Sequence, residues 1–143
     1  MKEELIAAEE KKSWKWRTTL SFALAGVFVI VIVAASWAPE SQMTKIKWIP
    51  GWIAELADRE PNIRTAIPFI PLAFFLFLGL STRSKKHPLV STVMICAFCL
   101  CLAELGQNLL PDRTTDVKDL IWGAAGILVG IVLAKLSPRN SNI

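Results

Sequence analysis

The sequence predicts an all-α integral membrane protein: four transmembrane helices, a short outer interfacial helix, and both termini in the cytoplasm. Three observations predict it. The 143 residues are 53% hydrophobic with mean hydropathy +0.45, and the charges fall in blocks between long apolar runs, more apolar surface than a soluble core of this size accommodates. Four of those runs approach the roughly 20 residues that a helix needs to cross a hydrocarbon layer of about 30 Å. Lysine and arginine are also distributed asymmetrically between the two sides that such helices define.

The first run, TTLSFALAGVFVIVIVAASW over 18–37, carries no charge and is the clearest span. It follows a lysine-rich stretch and ends in small residues, as a signal peptide would. However, it is longer than the usual signal core, and Pro39 stands where cleavage after Ala38 would occur, so an uncleaved helix is expected. The second run, Thr65 to Thr82, contains Pro68 and Pro71. These remove two backbone donors and are expected to loosen or kink that end. The third starts at Pro88, a residue suited to a first helical position, and is expected to reach Leu110. The fourth follows Asp119 and runs to about Ala134. The chain therefore divides into a charged N-terminal segment (1–17), a first helix (18–37), an outer loop (38–64), a three-helix core (65–136) and a tail (137–143).

With the N-terminus inside, ten of the 16 lysines and arginines lie on the cytoplasmic side, and eight of the 12 acidic residues lie on the other. The positive-inside rule then places both termini in the cytoplasm. The net charge of +4 is thus a topology signal and calls for no nucleic-acid partner. Trp14 and Trp16 fall at the inner boundary, Trp37 and Trp122 near the outer one, as an aromatic belt requires. In the outer loop Trp48, Ile49, Trp52, Ile53 and Leu56 recur at helical spacing, which predicts a short amphipathic helix in the headgroup layer. It reads more simply as a surface anchor than as a substrate lid.

Between the third and fourth runs stands AELGQNLLPDRTTDVKDL. Glu104 lies sixteen residues beyond Pro88, roughly 24 Å along a helix axis, and so within the outer part of the bilayer. An ionised carboxylate there is costly unless it is paired, faces the bundle interior or is protonated, so by default it is a functional-site candidate. Gln107 follows on the same face. Arg113 is the nearest basic partner in sequence, and Lys118 the next. Asp116 and Asp119 open the fourth helix, where a cap is the simpler role for Asp116, while Asp119 enters the apolar run directly. Because a short turn favours side-by-side packing of consecutive helices, Glu104, Gln107, Arg113, Asp116 and Asp119 are expected to converge on one outward-facing polar pocket. In the fourth helix Gly123, Gly126 and Gly130, with Ala134, form a small-residue stripe that lets another helix approach closely; packing within the chain is expected rather than dimerisation.

These residues carry a resemblance. The chain resembles the VanZ-like membrane proteins, whose recurring pattern is matched by Glu104 and Gln107, Pro111 and Arg113, Asp116 and Asp119, then Gly126 and Gly130, in that order. PFIPLAFF in the second helix is similar to a further family segment, with Phe69 and Pro71 in place. The likeness covers about Thr65 to Ala134. Departures are Gly123 and Thr65 where members often have Asn, Ala73 for a usual Gly, and Asp112 for the Gly before the Arg. The resemblance implies a multi-pass protein of the bacterial cytoplasmic (inner) membrane, in a family whose namesake is linked to resistance to the glycopeptide teicoplanin.

Two functions follow as expectations. In the first, the cluster binds a membrane lipid or lipid-linked envelope component, and modification of that component is left open. Arg113 would contact an anionic group through paired donors, Glu104 would be a general acid or base, and Asp116 and Asp119 would orient Arg113 or hold a divalent cation. No nucleophile motif, Cys and His metal set or phosphate loop is present, so neither a cofactor nor a resident metal is expected. In the second, the protein is a non-enzymatic accessory subunit of a larger membrane complex with a membrane-protein partner, and a Glu–Arg network locks the third and fourth helices together. Cys96, Cys99 and Cys101 read as small packing residues. His87, alone in the basic loop, is given no catalytic role. The N-terminal KEELIAAEEKK reads as a short helix near the membrane surface.

Overall fold

The computed structural model describes residues 1–37, 43–45, 50–83, 86–107 and 117–137. Five α-helices and one 3-10 turn make up the described chain: α1 (Lys2–Ser36), η1 (Met43–Lys45), α2 (Gly51–Arg59), α3 (Pro61–Arg83), α4 (Pro88–Gln107) and α5 (Val117–Leu136). Four spans are long and apolar enough to cross a membrane: Trp14–Ser36, Thr65–Arg83, Pro88–Gln107 and Val117–Leu136. The all-α, four-span expectation is thus met.

Two helices extend beyond their predicted limits. α1 begins at Lys2, so the charged N-terminal segment continues the first span and is not a separate surface helix. No Gly or Pro stands between Lys2 and Leu20 to interrupt it. α3 begins at Pro61, which needs no intrahelical donor at a first helical position. Pro68 and Pro71 therefore fall inside a helix already under way, in a setting where neighbouring helices accommodate the lost donors. α2 occupies only part of the predicted amphipathic stretch, because Trp48 and Ile49 lie outside the described residues. It is tied to η1 through Asp58, whose Oδ2 accepts from the Thr44 amide at 3.0 Å and hydroxyl at 2.8 Å. Among its described side chains Ala54 is buried, while Trp52 is exposed.

α3 is the hub. It packs against α1, α4 and α5, and α4 also packs against both α1 and α5, whereas among the described residues the backbones of α1 and α5 do not approach each other. The core is Phe69, Leu72, Ala73, Leu76 and Phe77 of α3, Cys96, Leu100 and Ala103 of α4, Ile127, Ile131 and Ala134 of α5, and Ala25 and Ile32 of α1.

The α3–α5 seam is closest at the glycine stripe. A Cβ at Gly126 would strike the Ala66 carbonyl, and one at Gly130 would strike the Ile70 carbonyl and come within 2.9 Å of the Ala73 Cβ. Gly123 faces α4 instead, where a Cβ would meet Leu100 Cδ1 at 2.5 Å. The stripe therefore works inside one chain. Across α1 and α3, the Phe22 ring lies over Gly79, where a Cβ would come within 3.2 Å of it. Phe28 stacks on Phe75 with centroids 6.2 Å apart. At the end of that seam the Thr18 hydroxyl donates to Thr82 Oγ1 at 2.9 Å, and Thr82 in turn donates to the Gly79 carbonyl at 2.7 Å.

Candidate functional site

A small cavity lies where the C-terminal ends of α1 and α4 meet the N-terminal ends of α3 and α5. Its walls are Ile32, Ala35 and Ser36 of α1, Thr65, Pro68 and Phe69 of α3, Ala103, Glu104 and Gln107 of α4, and Asp119 of α5. The space open to water-sized molecules is about 40 Å³, room for a few waters. Each span contributes, and the polar groups come mainly from the last turn of α4 and the first turns of α3 and α5.

Three of the five predicted cluster residues line this one cavity. Glu104 is buried, at 5% exposure, and its Oε2 is shielded from solvent. Gln107, one turn further on, and Asp119 are half-buried. Arg113 and Asp116 lie outside the described residues. Glu104 follows Cys96, Leu100 and Ala103 along the buried stripe of α4, so the helical period that packs the core also turns this carboxyl inward. A carboxylate held at that depth is costly in isolation, and the polar cavity wall is the setting in which such a group is found. Among the described residues no group of three His, Cys, Asp or Glu side chains is placed to hold a metal ion.

The structure adds participants that sequence reasoning did not single out. The Thr65 hydroxyl donates to Asp119 Oδ1 at 3.1 Å. Thr65 thus supplies, from α3, a donor at a position where the family pattern often has Asn. Its signal in the sequence was its place at the polar start of an apolar run. The Trp37 indole lies against Gly106, so closely that a Cβ there would overlap it; Trp37 therefore covers the last turn of α4 next to the cavity-lining Gln107 in sequence. Gly123, the other position where members often have Asn, has its space taken by Leu100 and brings no polar group to the cavity.

The cysteines are separated by burial: Cys96 is buried, Cys99 half-buried and Cys101 exposed, all as free thiols. Cys96 fills core space beside Leu100. His87 sits in the turn between α3 and α4 at φ 56°, remote in sequence and in the fold from the cavity end.

Comparison with known proteins decides the family. The profile of the VanZ/LLP1 family matches residues 13–138. The chain belongs to the VanZ/LLP1 family. The match takes in all four spans of this VanZ/LLP1 protein, α1 included, and so reaches further towards the N-terminus than the motif-bearing half between Thr65 and Ala134. No curated protein and no solved structure matches the chain. The family, the four spans and the multi-pass membrane character stand together.

Proposed function

We propose that this VanZ/LLP1 protein resides in the bacterial inner membrane and binds a lipid-linked or headgroup-bearing envelope component at its Glu/Gln/Arg/Asp cluster. The observation that carries the reading is the meeting of Glu104, Gln107 and Asp119 in one cavity at a single end of the bundle. With both termini cytoplasmic, as the lysine and arginine distribution favours, that end faces the outside of the cell. Arg113 and Asp116 belong to the segment that joins the two helix ends carrying Gln107 and Asp119. In this reading Arg113 engages an anionic group of the ligand through paired donors, while Gln107 and the aspartates orient it. The described cavity is small, so it admits no more than a phosphate-sized part of the ligand, with the remainder outside it and the apolar portion in the bilayer. Glycopeptide resistance of the teicoplanin type is the phenotype that the family suggests for such binding. Glu104 is the residue best placed to move a proton if the ligand is also modified.

A second reading is favoured by the Thr65–Asp119 bond and the depth of Glu104: the cluster locks the helices of a non-enzymatic subunit of a larger membrane complex. One experiment separates the two. Glu104→Gln and Arg113→Ala are introduced separately in a bacterial host lacking the native gene, and membrane abundance is recorded together with survival under teicoplanin and detergent stress. Normal abundance with lost survival supports a working site. Reduced abundance that parallels the loss of survival supports the lock and overturns the binding proposal.

A further inference from the structure

The opposite end of the Trp14–Ser36 span carries a different site. Because α1 and α5 both pack on α3 and, among the described residues, their backbones stay apart, α3 contributes the floor of a groove beside α1. Its walls are Trp16, Arg17, Leu20, Ser21 and Leu24 of α1, with Ser137 beyond the end of α5. Phe74, Phe75 and Leu78 form the floor. The volume is about 360 Å³, several times that of the polar cavity and within the roughly 300–1,000 Å³ typical of small-molecule sites.

The lining is graded along the helix axis. Arg17, Trp16 and Ser137 stand at the membrane boundary, where the Trp14–Ser36 span begins and α5 has ended. Leu20, Leu24, Phe74, Phe75 and Leu78 continue the groove into the apolar interior. This is the polarity profile of a phospholipid: an anion outside and a hydrocarbon chain within. The cation is presented for that purpose, because Arg17 is exposed and a guanidinium offers paired donors to phosphate oxygens.

The turn Trp14–Lys15–Trp16–Arg17 explains the arrangement. Residues two apart on a helix point about 200° from each other, so Lys15 and Arg17 serve opposite flanks of α1. Lys15 lines a second groove of about 350 Å³ with Trp14, Thr18, Phe22 and Arg83. Each flank therefore combines a cation, a tryptophan and apolar wall at one membrane level.

We propose that the groove between α1 and the end of α5 is a binding site for an anionic phospholipid, with the phosphate on Arg17 and an acyl chain along Phe75 and Leu78. Basic pockets between transmembrane helices recognise acidic headgroups in this way. The site lies at the end of the Trp14–Ser36 span remote from Ile32, Ala35 and Ser36 and does not depend on what the Glu104 cavity binds.

The test uses the full-length chain, purified in mild detergent and delipidated. It is titrated with phosphatidylglycerol or phosphatidylcholine of identical acyl chains, and bound lipid is read by native mass spectrometry. The expected result is a preference for phosphatidylglycerol that Arg17→Gln weakens by about fivefold. Arg59→Gln, which removes the same charge at the other end of the molecule, leaves that preference intact. Leu20→Trp, on the half-exposed groove wall, fills the groove and lowers retention of both lipids. Equal retention of the two lipids by the unaltered chain, an equal loss from both arginine variants, or full retention by Leu20→Trp overturns the assignment.

Discussion

Thr65 on α3 donates a hydrogen bond to Asp119 on α5, 3.1 Å from hydroxyl to Oδ1, and so ties together the starts of two helices 54 positions apart in sequence. The bond crosses the same α3–α5 seam that Gly126 and Gly130 bring into backbone contact. It fixes one acidic group of the cavity to its wall.

Removing that donor isolates its contribution. Thr65→Val keeps the shape and deletes the hydroxyl, and it is expected to cost about 0.6 to 1.7 kcal/mol, the range for hydrogen bonds between membrane helices. Thr65→Asn retains a donor and is expected to lose less. Unfolding of the purified variants in mixed micelles checks the order.

The glycine seam has less tolerance. Gly126→Ala and Gly130→Ala each set a methyl against an α3 carbonyl. Backbone cannot rotate away as a side chain can, so each is expected to cost about 1–3 kcal/mol and to lower membrane abundance. Gly26→Ala, in α1 with nothing within 4 Å, is the control and is expected to leave abundance unchanged.

Gly106 differs because its neighbour is a side chain. Gly106→Ala must move the Trp37 indole, and the cost is expected to disappear when Trp37→Ala is already present. A double-mutant cycle on thermal stability should give a coupling of about 0.5–3 kcal/mol. Additive effects would show that the contact is not formed.

His87 holds a left-handed backbone conformation, φ 56°, directly before Pro88, where steric demands on the backbone are already high. His87→Gly relieves the strain but adds freedom to the unfolded chain, so a net gain of about 1 kcal/mol or less is expected. His87→Val, β-branched, is expected to destabilise. Melting temperatures in one detergent rank the three side chains.

The spans were legible because membrane crossing imposes a length and an apolar composition that a single sequence displays directly. The depth of Glu104 was legible for a similar reason, since it follows from the distance to Pro88; that the side chain faces inward is a result of how α4 packs through Cys96, Leu100 and Ala103. The partner of the glycine stripe was not. Gly126 and Gly130 announce a close approach, but only the packed bundle selects Ala66 and Ile70 as the backbone approached. Trp37 read as an interfacial tryptophan; its seat on Gly106 depends on where α1 and α4 cross, and no local pattern encodes that. Thr65 registered as a departure from a family pattern, and its meaning emerged once Asp119 was opposite it. The prolines of α3 were expected to kink or loosen a helix end, and they stand inside a helix that starts earlier, at Pro61.

The hub position of α3 also bears on how the protein is made. α1 emerges from the ribosome before α3, its principal partner, which is completed only at Arg83, so this span must persist in the bilayer before that partner arrives. Its composition suits that interval. Residues 18–37 carry no charge, and its polar side chains satisfy themselves locally: the Thr18 hydroxyl reaches the Trp14 carbonyl at 3.0 Å, and Ser21 reaches that of Arg17 at 3.0 Å. When α3 arrives, Thr18 can redirect the same proton to Thr82. A bond kept within one helix during biosynthesis then becomes a bond between two.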